Sequence, residues 1–314
     1  GDGHPDRIRS TPTGLTLHRK LSAQGFGYQE DSSSVVLPGY RFHAVADFDK
    51  DGLPDLLVEK ISGGQIAWLR NLGSGLFTEN SLAEIMPGEL ANRRDRFQIA
   101  DPDGDGDLDI VYAITRGNGQ GAVVMLANRQ SAGADPQNLF QVSRTLIQVP
   151  WASAKFDLTD ANLDGRVDFL IVETNGNWPN DTHVEHPAHL YLNQGGGEFS
   201  EQLNNGITAA NEMSNLTSWD FDNDGDLDLI NGSSDWRGAS SPHLYVNDGT
   251  GHYEQRASPV FATDQYYHHG ITIFDADLDQ DLDAVWTSLH NFSNLYPRMW
   301  RNFTADLPAL LEEI

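Results

Sequence analysis

The run Asp47-Phe48-Asp49-Lys50-Asp51-Gly52-Leu53-Pro54-Asp55 places carboxylates at positions 1, 3, 5 and 9 of a nine-residue segment, with glycine at position 6. The run returns intact at 101–109 and 220–228, with Asn162 at position 3 at 160–168 and Gln280 at position 6 at 275–283, and the opening Asp2-Gly3-His4-Pro5-Asp6 reads as the back half of a sixth copy. Between the final aspartates the steps are 49, 54, 59, 60 and 55 residues. Such a period marks a repeat architecture, in which each unit buries its apolar face only against its neighbours.

A second element follows each acidic run: apolar residues, a spacer, asparagine, then glycine and an aromatic. It reads Trp68-Leu69-Arg70-Asn71 to Phe77, Leu190-Tyr191-Leu192-Asn193 to Phe199, and Leu244-Tyr245-Val246-Asn247 to Tyr253, with weaker versions ending at Asn128 and Asn302. Asparagine and glycine between two apolar runs signal a tight hairpin. Short strands precede the acidic runs, as at 41–46 and 270–274, and continuous apolar strands follow them. Each repeat is therefore expected to hold four strands, with the first repeat lacking its leading strand and the last its outer one. Four-stranded antiparallel units of this length predict an all-β chain, a β-propeller occupying 1–314 as a single domain. Six blades are visible, with a seventh if further sequence precedes them. The chain opens inside a motif and is expected to be a piece of something longer.

Composition sharpens the picture. The formal charge is −26, from 46 acidic and 20 basic residues, which disfavours nucleic acid and anionic membranes as partners. Twenty-four of those acids lie inside the six motifs, so the excess is local and the rest of the chain is nearly balanced. Clustered carboxylates repel one another unless a cation sits between them. There is no cysteine, and therefore no disulfide framework or thiol chemistry. No apolar run approaches the length of a transmembrane segment.

The spacing suits calcium, which takes six to eight oxygen ligands in flexible geometry; magnesium prefers a strict octahedron and retains water. Glycine at position 6 supplies the positive φ that wraps the chain around the ion. The expected side-chain ligands are Asp47, Asp49, Asp51, Asp55, Asp101, Asp103, Asp105, Asp109, Asp160, Asn162, Asp164, Asp168, Asp220, Asp222, Asp224, Asp228, Asp275, Asp277, Asp279 and Asp283. Backbone carbonyls are expected from Leu53, Asp107, Arg166, Asp226 and Asp281, and the side chains of Asp107, Asp226 and Asp281 are then expected to point outward. Up to five calcium ions, mainly structural, follow. The copy at 275–283 is the weakest, because Gln280 replaces the glycine. The segment is not an EF-hand: position 12 is Val58 rather than glutamate, and strands flank it. The blander alternative is a set of acidic turns that hold no ion.

The acidic runs, the Asp-Leu-Leu or Asp-Leu-Ile strand behind them and the Leu-Tyr-x-Asn-x-Gly-x-Gly-x-Tyr element resemble the FG-GAP/VCBS repeat. That family is known from integrin α-subunit propellers and from many secreted bacterial proteins. The resemblance covers nearly the whole chain. It implies a calcium-bearing propeller that is secreted, on a cell surface or periplasmic. For activity it implies a range: adhesins, lectin-like proteins, toxin components and accessory domains of polysaccharide-degrading enzymes.

Antiparallel strands alternate ends, so the acidic runs and the asparagine hairpins share one end of each blade. The remaining connections share the other, and they carry Trp178, Trp236, Arg237, Tyr266, Tyr267, His268, His269 and His290. Aromatic faces and forked polar groups suit sugar rings, so these residues are expected to bind carbohydrate or an extracellular protein in a recognition or adhesion module. The alternative is that such rings fill gaps between blades, the role expected of Trp151 and Trp219. His183, His186 and His189 with Glu185 are a second metal candidate, set against ordinary solvated histidines. An enzyme reading also stands: a calcium-dependent, lyase-like polysaccharide enzyme with a base at His268-His269, or its accessory domain. No nucleophile–base spacing, phosphate loop or paired-carboxylate motif accompanies it, so no catalytic residue is assigned.

Overall fold

The computed structural model describes residues 7–18, 35–82, 97–116, 119–130, 135, 138–150, 155–172, 188–207, 216–231, 243–256, 267–274, 283–290, 294–302 and 311–313, the last four stretches as backbone. Antiparallel sheets account for most of them. The first has three strands, β1 (Arg7–Thr11), β2 (Gly14–His18) and β3 (Val35–Pro38). The second comprises β4 (Tyr40–Ala46), β5 (Asp55–Lys60), β6 (Ile66–Asn71) and β7 (Phe77–Ser81). The third comprises β8 (Gln98–Ala100), β9 (Asp109–Thr115), β10 (Gly121–Asn128) and β11 (Phe140–Val149). The fourth holds β12 (Lys155–Thr159), β13 (Asp168–Val172), β14 (Ala188–Gly195) and β15 (Glu198–Gln202). The fifth holds β16 (Leu216–Trp219), β17 (Asp228–Asn231), β18 (His243–Asn247) and β19 (Tyr253–Arg256). The sixth holds β20 (Tyr267–Phe274), β21 (Asp283–His290), β22 (Asn294–Asn302) and β23 (Leu311–Glu313). Strand β23 pairs with β22, Trp300 opposite Glu313, and corrects the expectation that the last repeat lacks its outer strand.

Each four-stranded sheet is a meander whose strand order follows the sequence. Its second strand begins at the last aspartate of the acidic run and is apolar on both faces, as in Leu56-Leu57-Val58 and Phe169-Leu170-Ile171-Val172, all buried. A strand covered on both sides reads as a continuous apolar run. All eight residues of β10 are buried. The outer strands instead expose most of their residues, as in β7 and β19.

The chain divides into two compact units, 1–101 with 105–116 and 123–145, and 102–104 with 117–122 and 146–314. In the first unit, Leu56, Val58, Ala67 and Leu69 pack with Leu15, Leu37 and Phe77. Phe48, Trp68 and Phe140 form a second cluster of T-shaped pairs with centroids 5.2–6.3 Å apart. In the second unit, Leu170, Val172 and Leu190 pack with Leu229, Tyr245, Tyr253 and Ile207. Each fully buried side chain of this size contributes about 1.5–3 kcal/mol.

Between the fourth and fifth sheets the chain passes through Asn205-Gly206-Ile207. Asn205 donates its side-chain N–H to Ala188 O at 2.9 Å and accepts the Tyr253 N–H on its carbonyl at 2.7 Å. Gly206 has φ +86°, and a Cβ there would stand 1.8 Å from Tyr253 O. Gly206→Ala must therefore push the Tyr253 strand off its neighbour. Gly106 has φ +87°, but a Cβ there would meet nothing within 4 Å. In thermal or denaturant melts, Gly106→Ala is expected to cost about 1 kcal/mol, the backbone cost alone. Gly206→Ala is expected to cost clearly more; equal losses would refute the close-contact role of Gly206.

Candidate metal centre

The acidic loops fold by hydrogen bonds to their own carboxylates. The first aspartate takes the N–H groups of positions 5 and 6. Asp51 N and Gly52 N lie 3.1 and 2.9 Å from Asp47, and the pairs on Asp101, Asp160 and Asp220 span 2.8–3.1 Å. The fifth residue caps the N–H of the seventh, as in Leu53 N to Asp51 at 2.9 Å and Asp107 N to Asp105 at 2.9 Å. Position 6 has the left-handed backbone expected of it, with φ 84, 87, 80 and 97° at Gly52, Gly106, Gly165 and Gly225. Position 4 is left-handed as well: Lys50 (56°), Gly104 (72°), Leu163 (58°) and Asn223 (59°). That second reversal was not legible, since lysine and leucine have no preference for it.

The ninth residue anchors each loop. Asp55, Asp109, Asp168 and Asp228 are fully buried at the first position of their strands. Each accepts the backbone N–H of the asparagine that ends the sheet's third strand or lies within it: Asn71 (2.8 Å), Asn128 (2.7 Å), Asn193 (2.8 Å) and Asn247 (2.9 Å). Three also accept the N–H of loop position 2, from Phe48 (3.1 Å), Ala161 (3.0 Å) and Phe221 (2.8 Å). The equivalent residue in the loop at 101–109 is Pro102, which has no N–H to give. Burial outweighs these hydrogen bonds and pushes Asp55 and Asp168 up to about 6 and Asp228 up to about 7.

Positions 1, 3 and 9 converge. One carboxylate oxygen from each of Asp47, Asp49 and Asp55 lies within 4.8 Å of the others, as it does for Asp101, Asp103 and Asp109 and for Asp220, Asp222 and Asp228. The loop at 160–168 keeps Asp160 and Asp168, with the neutral Asn162 at position 3. Position 5 (Asp51, Asp105, Asp164, Asp224) is exposed at the rim. Among the described residues no donor reaches the buried oxygens Asp222 Oδ1 and Asp226 Oδ1, which leaves them open to a cation. An all-oxygen donor set of this kind fits a hard ion such as calcium.

One expectation is corrected. Asp107 and Asp226, read as pointing outward, are buried. Asp107 Oδ1 lies 2.8 Å from Lys50 Nζ, because the left-handed turn at position 4 of one loop carries Lys50 to position 7 of the next. Basic side chains also stand at the other loops. Arg70 pairs with Asp49 and lies 3.4 Å from Asp51, Arg166 lies 2.6 Å from Asp164, and Arg256 lies 4.0 Å from Asp222. Arg166, the backbone ligand expected of the loop at 160–168, thus also neutralises Asp164 of that loop.

Trp178, Trp236, Arg237, Tyr266, Asp275, Asp277, Asp279 and Asp281 lie outside the described residues, as do Trp151, His183, Glu185 and His186. Tyr267, His268 and His269 fall in β20, and Asp283 and His290 in β21, as backbone. His189 is on β14, with Nδ1 2.7 Å from Glu201 Oε1 across the sheet. Trp219 is buried against Phe221, the packing role expected of it. A cavity of about 400 Å³ opens at the β18–β19 hairpin, lined by Asp248, His252, Glu254 and Arg256 among others; it lies at the end that carries the acidic loops.

The family model described as an FG-GAP-like repeat matches residues 47–112, 160–231 and 220–286, more than half of the chain. No curated protein matches it. No helix among the described residues is long and apolar enough to cross a membrane.

A carboxyl group raised in the folded state binds its proton more tightly there than in the unfolded chain. Its contribution is fully present below the unfolded value near 3.8 and is lost as pH rises through the folded value. In chelator, the melting temperature is therefore expected to fall between about pH 4 and pH 7 as Asp55, Asp168 and Asp228 ionise. A saturating divalent cation should flatten that fall. Melting curves across this range, with and without the cation, check it; identical curves would refute the cation's part.

Proposed function

The chain belongs to the FG-GAP-like repeat family, and on that footing we propose that it is an extracellular, calcium-stabilised β-propeller whose loop-rich end binds carbohydrate or a protein partner. The observation that carries the calcium half is the convergence of positions 1, 3 and 9 within 4.8 Å in three loops, around a ninth carboxylate that is fully buried. Asp47, Asp49 and Asp55 hold one ion, with Asp51 and the Leu53 carbonyl completing the loop's donors. The loops at 101–109 and 220–228 repeat this set, the loop at 160–168 repeats it with Asn162, and the loop at 275–283 is its fifth copy. The ion's contribution is charge neutralisation: it offsets the mutual repulsion of the carboxylates and the burial of the ninth, so that binding energy becomes folding energy.

On this reading the chain is a single propeller domain of six blades, the first with three strands and the other five with four. The recognition half rests on where chain length is spent. Five residues join β5 to β6, whereas 15 join β13 to β14 and 11 join β17 to β18, all at the end away from the acidic loops. Those two long connections contain Trp178, Trp236 and Arg237. Long connections with aromatic and cationic residues on a rigid scaffold are where binding concentrates.

Exhaustive chelation is expected to lower the melting temperature by several degrees, and calcium to restore it, since a site at about 100 times its Kd adds about 2.7 kcal/mol. Elemental analysis should find calcium in the purified protein. An unchanged melt with no bound ion would overturn the calcium reading.

Trp178→Ala and Trp236→Ala are expected to weaken binding in a glycan or partner screen and to leave the melt unchanged. Large losses of stability would mean that these rings are core. Incubation with acidic polysaccharides separates recognition from catalysis: saturable binding without an unsaturated, ultraviolet-absorbing product supports the module, whereas accumulation of that product would replace it with a lyase.

A further inference from the structure

The asparagine behind each acidic loop does more than close its own sheet. Asn128 donates its side-chain N–H to Leu108 O of its own loop at 3.1 Å and to Phe48 O, position 2 of the loop one repeat earlier, at 2.8 Å. Asn247 donates to Leu227 O at 3.3 Å and to Ala161 O at 2.9 Å in the same pattern. Asn193 donates to Val167 O at 3.1 Å and to Pro102 O at 2.9 Å. The position-2 residue is thus held through the peptides on both of its sides. Its carbonyl accepts from the following repeat, and its N–H, where it has one, binds the ninth carboxylate of its own loop.

The bonds therefore join into relays. From Asp109 the path runs through Asn128 N–H to the Asn128 side chain, then Phe48 O, Phe48 N–H and Asp55. From Asp228 it runs through Asn247 to Ala161 and Asp168. From Asp168 it runs through Asn193 to the carbonyl of Pro102, where the imino nitrogen has no proton to pass the contact on to Asp109. All three asparagines are buried, so none of these bonds competes with bulk water.

We infer that the loops bind cations as two coupled pairs, 47–55 with 101–109 through Asn128 and 160–168 with 220–228 through Asn247. This rests on the calcium reading above. A cation at either loop fixes its ninth carboxylate, the carboxylate fixes the asparagine, and the asparagine fixes the peptide that orients the partner's ninth carboxylate. The ordering entropy is lost once for both sites, which is positive cooperativity without a change of shape. Coupling between sites is commonly fivefold or more in affinity, and it is reciprocal.

The four position-6 glycines provide a site-by-site readout, because each donates its N–H to the first aspartate of its loop. Calcium alone is titrated into the full chain while the amide resonances of Gly52, Gly106, Gly165 and Gly225 are followed. Asp103→Asn with Asp105→Asn, which weakens the loop at 101–109, is expected to raise the calcium midpoint at Gly52 about fivefold or more and to leave Gly225 in place. In an Asn128→Ser background the same pair of changes should no longer move Gly52. Pro102→Ala is the complementary gain: it supplies the missing N–H, and the Gly165 midpoint should then respond to the loop at 101–109. This variant keeps every buried asparagine, so it tests the relay even where Asn128→Ser does not fold. If no glycine amide responds to calcium, the calcium reading fails. If all four respond but the Gly52 midpoint ignores the loop at 101–109, or Pro102→Ala leaves Gly165 indifferent to it, calcium stands and the coupling is overturned.

Discussion

In three of the described repeats, one carboxylate holds three separated pieces of chain. Asp55 begins a central strand, receives the N–H of Phe48 from the turn before it, and receives the N–H of Asn71 from the strand after it. Removing it would release the loop, the strand start and the hairpin together. Burying an ionised group is costly unless it is hydrogen-bonded and compensated in charge. Two N–H groups satisfy part of that demand, and the raised carboxyl values show that they do not satisfy all of it. The remaining demand is electrostatic, and the first and third aspartates gather beside it instead of dispersing.

The same logic explains how the basic side chains are placed. Lys50, Arg70 and Arg166 each stand against a loop carboxylate, so a chain with only 20 lysines and arginines places several of them at its acidic clusters. Of the described loops, the one at 220–228 is the least compensated: its nearest described cation is Arg256 at 4.0 Å, and Asp222 and Asp226 each keep a buried oxygen that no described donor reaches. The residue that would approach Asp226 by the rule of the Lys50–Asp107 pair is Leu163, which carries no charge.

What the sequence made legible was whatever depends on spacing. The nine-residue carboxylate pattern, the glycine at position 6, the apolar second strand and the asparagine hairpin all appear where their residues place them. The backbone reversal at position 4 was hidden, because Lys50 and Leu163 adopt it under tertiary constraint rather than by preference. The burial of Asp107 was hidden for a related reason: its partner lies 57 positions earlier, in the acidic loop of another sheet. The asparagines were visible only as turn formers. Their second role, bonding to a carbonyl one repeat away, leaves no local trace, although an asparagine at that place in repeat after repeat, whatever the hairpin length, is a signal that a turn alone does not explain.

A loop built around fixed oxygens cannot change length, and these do not: in each of the five sheets with four strands, eight residues separate the first strand from the second. The connection from second strand to third carries no such set of carboxylates, and its length runs from 3 residues before β22 to 15 before β14. Lengthening a surface loop costs little in closure entropy, whereas displacing one member of a converging carboxylate set leaves a buried charge uncompensated. The fixed length is therefore a property of the acidic loop itself: the hairpin from third strand to fourth, at the same end, runs from 2 residues before β15 to 11 before β11. A scaffold under that constraint can change its connections wherever no carboxylate set fixes them, while the acidic loops keep their length and shape.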